Sequence, residues 1–160
     1  MKHKDIRIPV VVYDSIDELP EEIRELMERA KHTRKNAYAP YSKFKVGAAL
    51  RLSSGEIITG NNQENAAYPS GLCAERVAVY NAGANFPEVP IQAIAITAGA
   101  ENHTVSKPVA PCGACRQSIA EYEQRQNSPI EIYFMGEVGQ IYKVNSLKDL
   151  LPLSFDSSYL

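Results

Sequence analysis

The chain has 160 residues, of which 44% are hydrophobic and 22% charged, and its formal net charge at pH 7 is −2, as expected for one globular domain. No apolar run reaches the roughly 18 residues that a membrane span needs, and no signal-peptide core follows the N-terminus, so we expect a cytoplasmic protein with no membrane partner. The scattered Lys and Arg residues form no basic tract, which favours a small uncharged substrate over a nucleic acid.

The N-terminal part of the chain is predicted to hold an extension and one helix. Residues 1–18 are interpreted as the extension, in which residues 10–13 either add an edge strand or pack on the surface. The helix is expected to begin near Pro20, with Asp17 as a candidate cap, and to end before Pro40. Its apolar face repeats at helical spacing through Ile23, Leu26, Met27 and Ala30.

The rest of the chain alternates between predicted strands and helices. A strand over residues 44–52, a turn at 53–55 and a return strand at 57–61 predict a hairpin. A polar loop leads to a helix from about Cys73 to Ala82 that is expected to end near Gly83. The later elements are a strand at 91–97, a helix at about 112–124, strands at 130–135 and 141–144, and a short final helix at 146–150.

This order of elements predicts an α/β fold. Two β-α-β passages indicate parallel strands in the middle of the sheet, and the hairpin indicates antiparallel pairing at one side. We therefore predict three layers, α/β/α, around a mixed five-stranded sheet.

The chemistry of the chain is concentrated in its three cysteines. Cys73 lies in C-A-E-R, and Cys112 and Cys115 lie in P-C-G-A-C-R-Q. Catalytic zinc sites keep one coordination position open, whereas structural sites are closed by four protein ligands. Because no His lies within a few residues of any Cys, three thiolates predict an open site. Glu75 follows the first ligand by two residues, close enough to exchange protons at the open position.

The electrostatics of the two cysteine motifs also favour a metal. Both motifs are predicted to lie at helix N-termini, where the helix dipole stabilises thiolates. Three thiolates on one Zn²⁺ leave an excess negative charge. Arg76 and Arg116, each next to a ligand, are expected to offset that charge.

The spacing C-x-E followed by P-C-x-x-C is the signature of zinc nucleobase and nucleoside deaminases, in the variant with Cys in place of His. From about residue 22 onward the chain resembles the short homotetrameric cytidine deaminases. Five segments carry the resemblance, in family order and spacing: A-P-Y-S-K-F-K-V-G-A-A-L (39–50), N-Q-E-N-A (62–66), C-A-E-R (73–76), P-C-G-A-C-R-Q (111–117) and L-L-P-L-S-F (150–155).

The resemblance implies a cytidine deaminase-like catalytic domain at residues 19–160. It implies zinc-dependent hydrolysis of cytidine and 2′-deoxycytidine to uridine and 2′-deoxyuridine, with release of ammonia, in pyrimidine salvage. It further implies one Zn²⁺ per chain, bound by Cys73, Cys112 and Cys115, with Glu75 as the residue that moves protons.

The resemblance also implies a set of substrate-binding residues. Phe44 packs on the pyrimidine, which suits an aromatic face, and Asn62 and Glu64 hold the ribose 3′-hydroxyl as donor and acceptor. Ala66 lies in the same loop and belongs to the set. Phe155 reaches a neighbouring subunit's pocket, which implies a homotetramer with shared active sites.

Other functions stay open at this stage. The chain could act on another aminopyrimidine, such as a nucleoside antibiotic, although the N-x-E-N loop suits an unmodified ribose. It could be a zinc-stabilised binding module without catalysis, and replacement of Glu75 would separate that function from an enzyme. Nucleic-acid editing is the weakest alternative, since the basic channel that it needs is not visible.

Overall fold

A computed structural model describes all 160 residues, in three helices and six strands. The helices are α1 (Glu21–Arg34), α2 (Ala74–Asn85) and α3 (Gly113–Arg125). The strands are β1 (Val11–Tyr13), β2 (Phe44–Leu52), β3 (Ile57–Asn61), β4 (Ile91–Ala100), β5 (Glu131–Met135) and β6 (Ile141–Val144). None of the helices combines the length and the apolar character that crossing a membrane would require.

The strands form one mixed sheet in the order β1-β6-β5-β4-β2-β3. Only β4 and β5 pair in parallel, and every other neighbouring pair is antiparallel. Because β3 and β4 both run antiparallel to β2, they point the same way, and α2 connects them across β2. The mixed α/β prediction is thus confirmed.

The predicted count of five strands was wrong, because β1 is a sixth. Val11 pairs with Lys143 and Tyr13 with Ile141, which places the second half of the N-terminal extension at the sheet edge. Tyr13 also lies 6.4 Å from Tyr133, measured between ring centroids. The sequence left residues 10–13 open between an edge strand and surface packing, and the pairing with β6 confirms the edge strand.

The helices cover both faces of the sheet, which confirms the three layers. Helix α1 buries its predicted apolar face on one side, against residues that include Ala49, Ala95 and Tyr133. Helices α2 and α3 pack on the other side, against Leu50, Ile96 and further strand residues. The first turns of α2 and α3 therefore share one face of the sheet.

Small residues bring α2 close to its neighbours. A Cβ on Gly60 of β3 would lie 2.5 Å from the Ala74 carbonyl oxygen, so the absence of a side chain lets α2 sit against the sheet. Gly83 was expected to end α2, but the helix continues to Asn85. A Cβ on Gly83 would lie 2.3 Å from the Tyr122 hydroxyl, so this glycine admits the Tyr122 ring instead of ending the helix.

The cap predicted for α1 was wrong, whereas the short final helix is confirmed within its predicted bounds as a 3₁₀ helix. Asp17 lies in a separate 3₁₀ turn, and the residue that precedes α1 is Pro20, whose ring offers no capping acceptor. The predicted final helix is a single 3₁₀ turn, Leu147–Asp149, capped by the Ser146 side chain.

Candidate active site

The three cysteine side chains converge at the N-termini of α2 and α3. Cys73 and Cys112 are the residues that precede the two helices, and Cys115 lies in the first turn of α3. The Sγ atoms of Cys73 and Cys112 are 3.7 Å apart, and those of Cys112 and Cys115 are 3.5 Å apart. All three sulfur atoms lie within 4.8 Å of one another.

This arrangement fits one zinc ion. With a Zn–S distance of about 2.3 Å, tetrahedral coordination separates two sulfur ligands by about 3.8 Å. The measured separations of 3.7 and 3.5 Å are close to that value. The cluster contains three thiols and no His or carboxylate, so a fourth position stays open to water or substrate.

Glu75 lies in the first turn of α2 and is buried, with 4% of its surface exposed. Burial raises the pKa of its carboxyl group to about 7, opposed by a backbone hydrogen bond and reinforced by the nearby Cys73 sulfur. A group with a pKa near neutrality can both accept and donate a proton efficiently. A pKa in this range suits the proton-transfer role of Glu75, which stays a prediction.

The pKa values of the Cys73 and Cys115 thiols are shifted in opposite directions. A hydrogen bond with Cys115 is the main cause that lowers the pKa of Cys73 to about 5, and the nearby Arg76 lowers it further. The same hydrogen bond raises the pKa of Cys115 well above its usual range. Cys73 is therefore the more acidic thiol of the pair, and all three cysteines would bind zinc as thiolates.

The two arginines beside the ligands have different partners. The Nη2 atom of Arg76 lies 3.9 Å from the Cys73 sulfur, as its predicted charge-offsetting role requires. Arg116 instead donates from Nε to the Pro111 carbonyl oxygen at 2.8 Å and from Nη1 to the Leu150 carbonyl oxygen at 2.9 Å. Arg116 thus connects the second cysteine motif to the C-terminal segment, which its place in the sequence did not indicate.

A cavity of about 560 Å³ opens next to Cys73 and Arg76. Two of the predicted substrate residues, Asn62 and Glu64, line it. The sequence-based set missed several other residues that line the cavity. They lie in the turn before β2 and in the loop of residues 62–73, and they include Tyr41, Ser42 and Tyr68. Tyr41 and Ser42 lie within the A-P-Y-S segment that carried the resemblance. Their place in that segment could have indicated that they line the cavity.

The side chain of Asn62 is fixed by the backbone of β2. Its Oδ1 accepts from the Val46 N–H at 2.7 Å, and its Nδ2 donates to the Phe44 carbonyl oxygen at 2.9 Å. A primary amide carries two N–H donors, and the contact with Phe44 uses one of them. The other donor of Asn62 stays available to a ligand.

Glu64 is held by the backbone N–H groups of Tyr41 and Ser42, at 2.9 and 3.3 Å, and by the Ser42 hydroxyl. The bond from the Ser42 side chain is the main cause that lowers the pKa of Glu64. The carboxylate stays ionised at neutral pH and presents its remaining lone pairs as acceptors.

The other three predicted substrate residues lie outside the lining of this cavity. Phe44 is half-buried at the start of β2, and Ala66 is exposed in the loop before α2. Phe155 is 60% exposed and stacks on Tyr159, with ring centroids 5.7 Å apart. The roles of these residues stay predictions.

Together, the open three-thiolate cluster, the buried carboxylate and the adjoining cavity define a zinc-dependent hydrolytic enzyme. Residues 20–128 match the family described as the cytidine and deoxycytidylate deaminase zinc-binding region. The chain therefore belongs to this deaminase family.

Individual relatives agree with this assignment. A cytidine deaminase of Sporosarcina psychrophila is 40% identical over 87% of this chain and 95% of its own length. One of Halalkalibacterium halodurans is 38% identical over 81% and 91% of the two chains. The crystal structure of a cytidine deaminase from Burkholderia pseudomallei, 41% identical, superposes with a TM-score of 0.71 over 82% of this chain and 97% of its own.

Proposed function

We propose that this protein catalyses the hydrolytic deamination of cytidine and 2′-deoxycytidine to uridine and 2′-deoxyuridine, with release of ammonia. The observation that carries the proposal is the position of Glu75, buried beside three thiols whose spacing fits an open zinc site. The similar proteins named as cytidine deaminases support it. We further propose that the reaction serves pyrimidine salvage, and that it takes place in the cytoplasm, where a reducing environment keeps zinc-binding thiols available.

Each residue of the site has a distinct part in the proposed reaction. Cys73, Cys112 and Cys115 would hold the zinc ion, which when bound makes water a nucleophile at neutral pH. Glu75 accepts a proton from that water and delivers it to N3 of the pyrimidine. As the water oxygen adds to C4, Glu75 takes the second proton of that oxygen and passes it to the amine at C4, so that the C4–N bond breaks, ammonia leaves and the uracil carbonyl forms.

The direct test is to incubate the purified, zinc-loaded protein with cytidine. Ultraviolet absorbance should change from the cytidine to the uridine spectrum, and one ammonia should be released per cytidine consumed. If protein with intact thiols and bound zinc converts neither cytidine nor 2′-deoxycytidine, the proposal is wrong.

We propose that Asn62 and Glu64 bind the sugar, because the free donor of Asn62 and the ionised Glu64 line the same cavity. One ribose hydroxyl can accept from the first and donate to the second. Phe44 and Ala66 would complete the binding of the nucleoside, with the Phe44 ring against the base.

The sugar contacts predict a strong preference for the nucleoside over free cytosine. A hydrogen bond to a charged group contributes about 1.5–3 kcal/mol, so the bond to Glu64 alone should favour cytidine about 10- to 150-fold in kcat/KM. Steady-state kinetics on both compounds measure the ratio. Equal kcat/KM values would contradict the assignment of Asn62 and Glu64 to the sugar.

We propose a homotetramer in which Phe155 helps to close the site of a neighbouring subunit. The Phe155 ring is 60% exposed and Leu153 is 83% exposed, so this segment offers apolar surface for an interface. Gln117 of α3 donates to the Phe155 carbonyl oxygen at 3.0 Å, which holds the segment beside the helix whose first turn carries Cys115.

Shared sites predict recovery of activity in mixed oligomers. Deletion of residues 154–160 should lower activity and leave zinc bound, because all three ligands remain. After subunit exchange between the truncated chain and a Glu75→Gln chain, some sites combine an intact Glu75 with an intact Phe155, and activity should partly return. A monomer by light scattering, or no recovery despite demonstrated exchange, would show that each site is built within one chain.

A further inference from the structure

The carboxylate of Glu64 is held by one short turn that precedes β2. Tyr41 and Ser42 both donate backbone N–H groups to its Oε2, and the Ser42 hydroxyl donates to its Oε1. All three donors come from two consecutive residues, 22 and 23 positions away from Glu64 in the chain. Each oxygen of the carboxylate therefore has a partner, which fixes the plane of the group.

The Ser42 hydroxyl also connects this carboxylate to the base-binding side of the site. While its hydrogen points to Glu64, its oxygen accepts from the Phe44 N–H at 3.0 Å. Phe44 starts β2, and its carbonyl oxygen accepts from Asn62 at 2.9 Å. One hydroxyl thus links the proposed sugar acceptor to the residue proposed to pack on the pyrimidine.

The turn that allows this link has an uncommon backbone. Lys43, between Ser42 and Phe44, has φ of +56°, a left-handed conformation that few residues other than glycine adopt. The turn is held by hydrogen bonds from Lys43 N to the Ala39 carbonyl oxygen and from Glu101 N to the Lys43 carbonyl oxygen. Such a backbone persists only where its surroundings fix it, and here it lies between the two residues that the Ser42–Phe44 hydrogen bond joins.

We propose that Ser42 is a positioning residue that fixes the Glu64 carboxylate for the ribose 3′-hydroxyl. An unsupported glutamate would have to lose side-chain freedom when it binds a ligand, and the contact with Ser42 restricts that freedom beforehand. This inference rests on the proposed function. It goes beyond that function by naming the group that determines how well the sugar is recognised.

The test compares Ser42→Ala with the native chain on two substrates, cytidine and 3′-deoxycytidine. For cytidine, kcat/KM should fall about tenfold, the size of one hydrogen bond to a charged group, mainly through a higher KM. For 3′-deoxycytidine, which lacks the hydroxyl, kcat/KM should change less than about twofold, since the Glu64 contact is already lost. Ser42→Thr, which keeps a hydroxyl, should restore most of the cytidine activity.

A second serine supplies a matched control. In the hairpin between β2 and β3, Ser54 donates to the carboxylate of Glu56, outside the lining of the cavity. Ser54→Ala removes the same kind of contact and should leave both substrates unaffected. If Ser42→Ala does not fold, as judged by circular dichroism and zinc content, the isosteric pair Ser42→Thr and Ser42→Val provides the same comparison.

The outcomes separate this inference from the function on which it depends. Equal losses on both substrates would show that Ser42 supports the fold only, and no loss on cytidine would show that it does not position Glu64. Either result overturns the inference while the deaminase activity stands. A native chain inactive on cytidine overturns the proposed function and this inference with it.

Discussion

Glu75→Gln is expected to remove nearly all turnover while the fold and the bound zinc remain. Glutamine has almost the same size and keeps hydrogen-bonding capacity, but it cannot accept a proton and return it. General acid–base catalysis contributes on the order of 10²- to 10⁴-fold in rate, and Glu75 would serve more than one proton transfer, so a loss at the upper end is expected. Its burial, with 4% of the surface exposed, leaves little access for bulk water as a replacement.

The measurement combines activity with two controls for integrity. Zinc content and circular dichroism of Glu75→Gln should match the native chain. Glu121→Gln, a substitution at an exposed residue of α3, should keep native activity. If Glu75→Gln retains more than about a tenth of the native rate, Glu75 is not the main acid–base group.

The zinc cluster could be predicted from the sequence because its geometry is mostly local. Cys73 and Glu75 share one helix turn, and Cys112 and Cys115 share another, so each motif fixes its own internal distances. Only the contact between the two helix N-termini depends on the tertiary fold. The β-α-β order already predicted that both helices pack on the sheet. Strands β2, β3 and β6 were likewise predicted with their observed bounds, because alternating apolar and polar residues and flanking turn residues mark them.

The features that the sequence did not indicate depend on contacts between distant residues. Arg116 was predicted to offset the charge of the cluster, and its contact with the Leu150 carbonyl oxygen, 34 residues away, could not be predicted from its motif. A side chain on Gly83 would collide with Tyr122, and the choice of an edge strand for residues 11–13 comes from pairing with β6. The support of Glu64 by Ser42 spans 22 residues, next to a left-handed backbone at Lys43. None of these contacts leaves a periodic pattern.

Cys112→Ala is expected to lose both zinc and thermal stability. The native chain should bind about one zinc ion, as three ligands and an open position require. Cys112 is exposed, so removal of its side chain should leave little cavity, and any destabilisation should come from the lost metal. If free zinc exceeds its dissociation constant 100-fold, binding stabilises the native state by about 2.7 kcal/mol, or about 5–11 °C in Tm for a chain of this size.

Metal analysis and thermal unfolding, each with and without a chelator, test this prediction. The chelator should lower the Tm of the native chain toward that of Cys112→Ala and should leave the variant nearly unchanged. Comparing the two chains with and without chelator separates metal loss from a packing defect. If Cys112→Ala lowered the Tm through packing, the variant would remain less stable than the chelator-treated native chain. If the variant keeps a full equivalent of zinc, Cys112 is not a ligand. If the native chain shows the same Tm with and without the chelator, the ion bound by Cys73, Cys112 and Cys115 does not contribute to folding stability.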